Sequence, residues 1–261
     1  MKKRTFSAVI LMAILVGSIL IGYQTFGLVM LICSIMGYHE LMNIKYEEKG
    51  KSIDVIRLIG VISLILLVLN DTFFQLDDDL LLIVPMLGMT IPIVFYNDHK
   101  RYNINDAFFV MGVVFFLGFA FHNIIYMAKA DVYKCVFTFL IAFVTDTYAY
   151  IGGCLVGRHQ LTSISPKKTI EGSVIGTIMG CLIGSVYYNL AIGGLGMVQI
   201  VLVCFFLTIL SEIGDLVFSS IKRYFDKKDY SNLIPGHGGI LDRFDSVLFV
   251  SLGLRIIMVI L

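Results

Sequence analysis

The sequence predicts an all-α, polytopic helical integral membrane protein with about nine transmembrane helices and a cytoplasmic amino terminus, and three observations carry that prediction. Hydrophobic residues fill 58% of its 261 positions and charged ones 15%, whereas soluble domains carry about a quarter charged. The apolar residues gather into repeated runs of about 17 to 22, the length of helix that crosses a hydrocarbon core. Basic residues fall on alternate connections between those runs. A closed barrel would instead show alternating segments of about ten residues, and the chain has no such pattern.

Met1-Lys2-Lys3-Arg4 ahead of the apolar run 6–22 has the outline of a signal peptide. The run is longer than an h-region, no small-x-small cleavage site closes it, and further spans follow at once, so it is read as a retained first helix. Spans 25–43, 53–70, 79–96 and 106–126 carry few ionisable groups and read as a scaffold or lipid-facing wall. Spans 132–152, 171–192, 196–220 and 243–261 complete the chain.

The connections alternate in charge. Lys2, Lys3 and Arg4 precede the first span, and Lys45, Lys49, Lys51 and Arg57 surround the loop after the second. Lys100 and Arg101, then Arg158, Lys167 and Lys168, then Lys222, Arg223, Lys227, Lys228 and Arg243 follow on the same side. The other side has Lys129 and Lys134 with the acidic Asp71, Asp77, Asp78 and Asp79. About seventeen of the 20 basic residues thus share one face, which the positive-inside rule makes cytoplasmic. The chain is expected to form a single membrane domain, 1–261. Residues 1–130 would be its scaffold and 131–261 its catalytic half, with cytoplasmic loops 153–170 and 221–242. No internal repeat and no pair of broken helices of the inverted-repeat transporter kind is evident. The dispersed cysteines (Cys33, Cys135, Cys154, Cys181 and Cys204) lie in or beside apolar runs and read as small buried hydrophobes, not as a disulfide frame or zinc site.

The chemistry is concentrated after residue 140. At 100° per residue, Ser211, Glu212, Asp215, Ser219 and Lys222 share an arc of about 100° on one helix face. Glu212 and Asp215 lie in an otherwise apolar segment, where a charge is costly unless it faces a wet cavity or a partner. A metal or phosphate site is one reading; a structural ion pair of Asp215 with Lys222 or Arg223 is the simpler one. Pro235-Gly236-His237-Gly238-Gly239 lets backbone amides approach an anion closely, with His237 as a phosphate donor or merely a turn residue. Asp242 and Asp245 then share a face one turn apart, although Asp242 as a helix N-cap is the plainer account. Asp215 and Asp242 bracket the glycine loop, and meeting across it they would give a Mg2+ site with open coordination. Upstream, residues 164–172 read ISPKKTIEG, either a topology anchor or a polyphosphate clamp in which lysines act as point charges. Asp146 stands late in an apolar run; it marks a functional site or pairs with a lysine of the next loop. No Walker sequence is present.

Residues 219–246 read S-x-x-K-R-x-x-x-x-K-D-x-S-x-x-x-P-G-H-G-G-x-x-D-R-x-D-S, which resembles the signature of the phosphatidate cytidylyltransferases, or CDP-diacylglycerol synthases. ISPKKTIEG and Asp146-Thr147 are similar to that family's pattern as well, so the resemblance covers about residues 140–246. Departures lie in the segment 146–163, where the family often has glycine at the position of Tyr148 and a basic residue near Cys154. The resemblance implies an integral membrane enzyme joining CTP and phosphatidate into CDP-diacylglycerol and pyrophosphate, for phospholipid biosynthesis at the cytoplasmic face of the cell membrane. It implies Mg2+, with K+ as a companion cation, and Asp215 and Asp242 as the metal carboxylates. Lys222, Arg223 and His237 would join them in catalysis. Asp146, Lys167, Lys168, Thr169, Glu171, Ser219, Lys227, Lys228, Asp229, Gly236, Gly238, Gly239, Arg243 and Asp245 would bind substrate. The expected partners are membrane lipids and a second copy of the chain, and no nucleic acid.

Nucleotidyl transfer fits these residue types. An ionised phosphate of phosphatidate needs no strong base, and crowded phosphates need positioning and neutralisation. A CTP-dependent polyprenol or phytol kinase is the alternative, and a transporter with a charged site a more distant one.

Overall fold

The computed structural model describes residues 2–46, 54–95, 102–231 and 238–260, and helices dominate them. They are α1 (Lys2–Ile21), α2 (Tyr23–Tyr46), α3 (Asp54–Leu69), α4 (Asp78–Thr90), α5 (Pro92–Phe95), α6 (Ile104–Ala130), α7 (Val132–Val156), α8 (Ile170–Tyr187), α9 (Met197–Tyr224) and α10 (Leu241–Ile260). Short π turns extend α3 over Asn70–Phe74 and α8 over Tyr188–Ile192. Seven helical segments among the described residues are long and apolar enough to cross a membrane. Their outward faces carry large apolar side chains such as Leu58, Ile83, Phe108, Leu182 and Leu202. A surface of that kind is satisfied by hydrocarbon rather than by water.

The helices follow the expected spans, with local departures. The run 79–96 is interrupted at Ile91, because Pro92 has no amide to donate back along the helix. Helix α9 continues past the apolar run to Tyr224 and so carries Lys222 and Arg223 on helical backbone.

The chain divides into two compact units. One comprises Met1–Tyr126 and Asp229–Leu241; the other comprises Met127–Lys228 and Asp242–Leu261. In the first, Asp106 of α6 joins α2 by meeting Lys45 Nζ at 3.1 Å and accepting from Tyr46 Oη at 3.1 Å. Tyr102 Oη donates to the Met89 carbonyl at 2.7 Å.

In the second unit α7 and α8 meet through small residues. Asp131 caps α7 by accepting from the Tyr133 amide at 2.9 Å. On α8, Gly172, Gly176, Gly180 and Gly184 recur every fourth residue and are all buried. They present a flat strip to α7. A Cβ on Gly176 would lie 2.7 Å from the Thr145 carbonyl oxygen and 2.8 Å from Ala149 Cβ. The two backbones therefore touch, and the face of α7 around Asp146 lies against α8. Gly214 of α9 plays the same part toward α10, where a Cβ would stand 2.8 Å from the Asp245 carbonyl oxygen.

Candidate active site

The segment between α7 and α8 is folded by backbone bonds. Leu161 N donates to the Lys168 carbonyl at 2.9 Å, Ile170 N donates to the His159 carbonyl at 2.9 Å, and Gln160 and Thr169 form an antiparallel bridge. Thr169 then caps α8, its Oγ1 accepting from Gly172 N at 3.1 Å. Glu171, in the first turn of α8, accepts from the amides of Arg158 and His159 at 3.0 and 3.2 Å and meets His159 Nδ1 at 2.5 Å. These contacts occupy Thr169 and Glu171 with the loop itself, and they leave Lys168 to reach α9.

Lys168 Nζ meets Asp215 Oδ2 at 2.5 Å. Asp215 Oδ1 accepts from Ser219 Oγ, one turn on, at 3.2 Å. One turn earlier on α9, Glu212 accepts from two α8 hydroxyls, Ser173 Oγ and Thr177 Oγ1, the latter at 3.3 Å. At the far end of this helix face Lys222 Nζ donates to Asp242 Oδ1 at 2.6 Å, the two side chains only 11% and 5% exposed. That pair ties the last turn of α9 to the first turn of α10. Asp245, one turn along α10, accepts from the amide of Ser246 at 2.9 Å.

These acids crowd one another. Asp146 and Asp215 repel each other, both repel Asp245, and Glu212 adds its charge to Asp146. Lys168 attracts Asp146 and Glu212 as well as Asp215, and Lys222 attracts Asp245 as well as Asp242. Carboxyl groups from α7, α9 and α10 thus outnumber the two lysines among them, an oxygen-rich set of the kind hard cations take. The buried hydroxyls of Thr145 and Ser211, each one residue before an acid of the set, have no hydrogen-bond partner. No group of three His, Cys, Asp or Glu side chains stands in ligating geometry among the described residues. The donor set fits a hard divalent cation in chemistry; in this structure lysines neutralise Asp215 and Asp242.

The profile of the cytidylyltransferase family matches residues 2–261. The chain belongs to the cytidylyltransferase family. The phosphatidate cytidylyltransferase of Staphylococcus haemolyticus (strain JCSC1435) is 33% identical to it over 263 residues, covering 99% of each chain. That of Bacillus subtilis (strain 168) is 29% identical over 260 residues, covering 96% of this chain and 94% of the relative. That of Staphylococcus aureus (strain COL) is 30% identical over 268 residues and covers 99% of each. The likeness runs through the first helices as well as the polar segments after residue 140.

In this family member the residues expected from sequence, beyond Thr169 and Glu171 of the loop, are placed as follows. Asp146, Lys168, Asp215, Ser219, Lys222, Asp242 and Asp245 converge as described, with Asp215 paired to Lys168 rather than to Lys222 or Arg223. Lys167, Arg223, Lys228, Asp229 and Arg243 are exposed, and Lys227 is half-buried. The Arg223 guanidinium donates through Nη1 to the Lys227 carbonyl at 3.0 Å, closing the turn after α9. Gly236 and His237 lie outside the described residues.

Gly238 and Gly239 belong to the first unit with the rest of Asp229–Leu241. Gly238 has φ 81°, a left-handed conformation that glycine adopts without strain. Gly239 packs on Glu40 of α2, a residue the sequence reading passed over as part of the scaffold. Ser173 and Thr177, which hold Glu212, were also passed over. A hydroxyl in an apolar helix is common, and its spacing carries no sign of the acid it meets on another helix.

Proposed function

We propose that this chain is a CTP:phosphatidate cytidylyltransferase, which forms CDP-diacylglycerol and pyrophosphate as a step of phospholipid biosynthesis. The observation that carries this reading is the meeting of Lys168, from the ISPKKTIEG segment, with Asp215 on α9 at 2.5 Å. It joins the loop before α8 to the acid face of α9. The names borne by relatives aligned along 94–99% of their own length support the same reading.

In the transfer a phosphate oxygen of phosphatidate forms a bond to the α-phosphorus of CTP, and the bond to the β-phosphate oxygen breaks in line, releasing pyrophosphate. The nucleophile is already ionised, so no residue has to remove a proton. The site's task is to hold two polyanions together and spread their charge. Lys168 and Lys222 are buried enough to act as fixed positive charges, and Arg223, Lys227 and Arg243 lie in or near the same turns. When bound, Mg2+ would neutralise triphosphate oxygens, held by Asp215 and Asp242 with Asp146 and Asp245 beside them in the acid set. K+ is proposed as a companion cation at the same carboxylates.

The charge asymmetry of the connections supports an active site facing the cytoplasm of a cell membrane, an amino terminus on that side and nine crossings. Lipid would enter from the leaflet and CTP from water. A homodimer is proposed as the working assembly.

The test is to incubate the purified protein in detergent with phosphatidate, Mg2+ and CTP labelled separately at the α- or γ-phosphate. Cytidylyl transfer puts α-label in lipid and γ-label in pyrophosphate. Label from the γ position in lipid would make the chain a CTP-dependent lipid kinase. No transfer of either label would remove the enzyme reading in favour of a transporter.

A further inference from the structure

Glu40 lies in α2, inside the apolar span Tyr23–Tyr46, and is 2% exposed. A carboxylate at such depth is expensive unless its oxygens are fully engaged. Here the engagement comes from residues far away in the chain. Glu40 Oε1 accepts from Ser231 Oγ at 2.6 Å and from the amide of Ile240 at 2.9 Å, while Oε2 accepts from the amide of Leu241 at 3.0 Å. One side chain therefore holds the backbone on both sides of residues 232–237. Gly239 makes this approach possible, since a Cβ there would lie 2.5–2.6 Å from the Glu40 carboxyl atoms. Leu241 is also the first residue of α10, whose initial amides have no partner within the helix. The residue after it is Asp242, the acid bound by Lys222.

We propose that Glu40 is a positioning residue for cytidylyl transfer: by clasping Ser231, Ile240 and Leu241 it fixes the backbone just before residue 232 and just after residue 239, and so where Asp242 starts α10. The inference rests on the transferase reading above. Among the described residues, the groups bonded to Glu40 are Ser231, Ile240 and Leu241, none of them a charged group assigned to the phosphates. Its effect runs through backbone placement, and misplacement of reacting groups by about 1 Å is enough to lower turnover by roughly a hundredfold.

The experiment compares three full-length proteins: wild type, Glu40→Gln and Asp106→Asn. Asp106 is a second buried acid of the same unit, held by Lys45 and Tyr46, and serves as a control for structural damage. Glutamine keeps the size of Glu40 but turns an amide donor toward the donors it must accept from. For Glu40→Gln the expected result is a fall in kcat of roughly ten- to a hundredfold, larger than Asp106→Asn shows at the same loss of melting temperature, with both KM values little changed. Faster hydrogen exchange at the amides of Ile240 and Leu241 should accompany it. Gly239→Ala, which pushes the loop off the carboxylate, should reproduce the kinetic pattern. Unchanged turnover in Glu40→Gln would overturn the proposal. So would losses in the two acid variants that follow stability alone, or a loss confined to KM. A wild-type protein that transfers no cytidylyl group would strike the transferase reading instead, and the exchange rates of Ile240 and Leu241 would still report whether Glu40 holds them.

Discussion

Lys222 and Asp242 stand 2.6 Å apart with almost no exposed surface, joining the last turn of α9 to the first turn of α10. An ion pair so enclosed contributes little net stability, but either partner left alone is costly. Lys222→Met should destabilise the protein by about 3 kcal/mol, because it takes the cation away from the enclosed Asp242 carboxylate. The double variant Lys222→Met with Asp242→Asn should recover much of that loss. Unfolding in mixed detergent micelles measures both, and a double variant no more stable than the single one would show that Asp242 is satisfied without Lys222.

Asp215→Asn should nearly abolish cytidylyl transfer while leaving a folded, membrane-inserted protein, since asparagine can accept from Lys168 through its oxygen and donate to the Ser219 hydroxyl through its amide nitrogen. Asp242→Asn should do the same, because its amide oxygen can still accept from Lys222. The measurement is turnover across a Mg2+ titration, beside a melting curve. Normal activity in either variant would remove that residue from the metal site.

Chelation with EDTA should stop transfer in the wild-type protein, and added Mg2+ should restore it. Restoration to full rate without any divalent cation would leave the crowding of Asp146, Asp215 and Asp245 to be accounted for by lysines alone.

Gly176→Val should cost about 1–3 kcal/mol through overpacking, because the new side chain meets the Thr145 carbonyl and Ala149 on α7. It should also slow turnover more than its stability loss explains, since α7 carries Asp146. Thermal melting and kcat, measured on the same preparation, separate the two effects.

Thr169→Val removes the cap of α8 and should destabilise the protein by about 1 kcal/mol, with Thr169→Ser close to wild type. A loss in Thr169→Ser with Thr169→Val close to wild type would mean that the methyl group of Thr169, and not its hydroxyl, matters to the turn.

The helices were largely legible in the sequence, because an apolar run of membrane length has few other ways to satisfy its backbone. The break at Ile91 and the π turns after α3 and α8 depend on local hydrogen bonding that hydropathy does not record. Of the site, the isolated acids in apolar runs (Asp146, Glu212 and Asp215) announced themselves by their cost. Their partners did not. The spacing of Asp215 to Lys222 and Arg223 on one helix face suggested a pair, yet Lys168 from another segment takes Asp215 and Asp242 takes Lys222. Periodicity says which way a side chain points and not which helix faces it. Glu40 had the same signal as Asp215, an acid inside an apolar span. Its donors lie some 200 residues further along, and two of them are backbone amides with no side-chain identity to read.

The loop between α7 and α8 has one more consequence. Bonds from Leu161 to Lys168 and from Ile170 to His159 close it, and Glu171 clasps its start through Arg158 and His159. A lysine carried on an open loop would have to be ordered each time an anion arrived, and that ordering would be subtracted from affinity. On this loop the ordering is completed during folding. Nucleotide association should therefore lose little conformational entropy at Lys168, and its heat should come mainly from charge meeting charge.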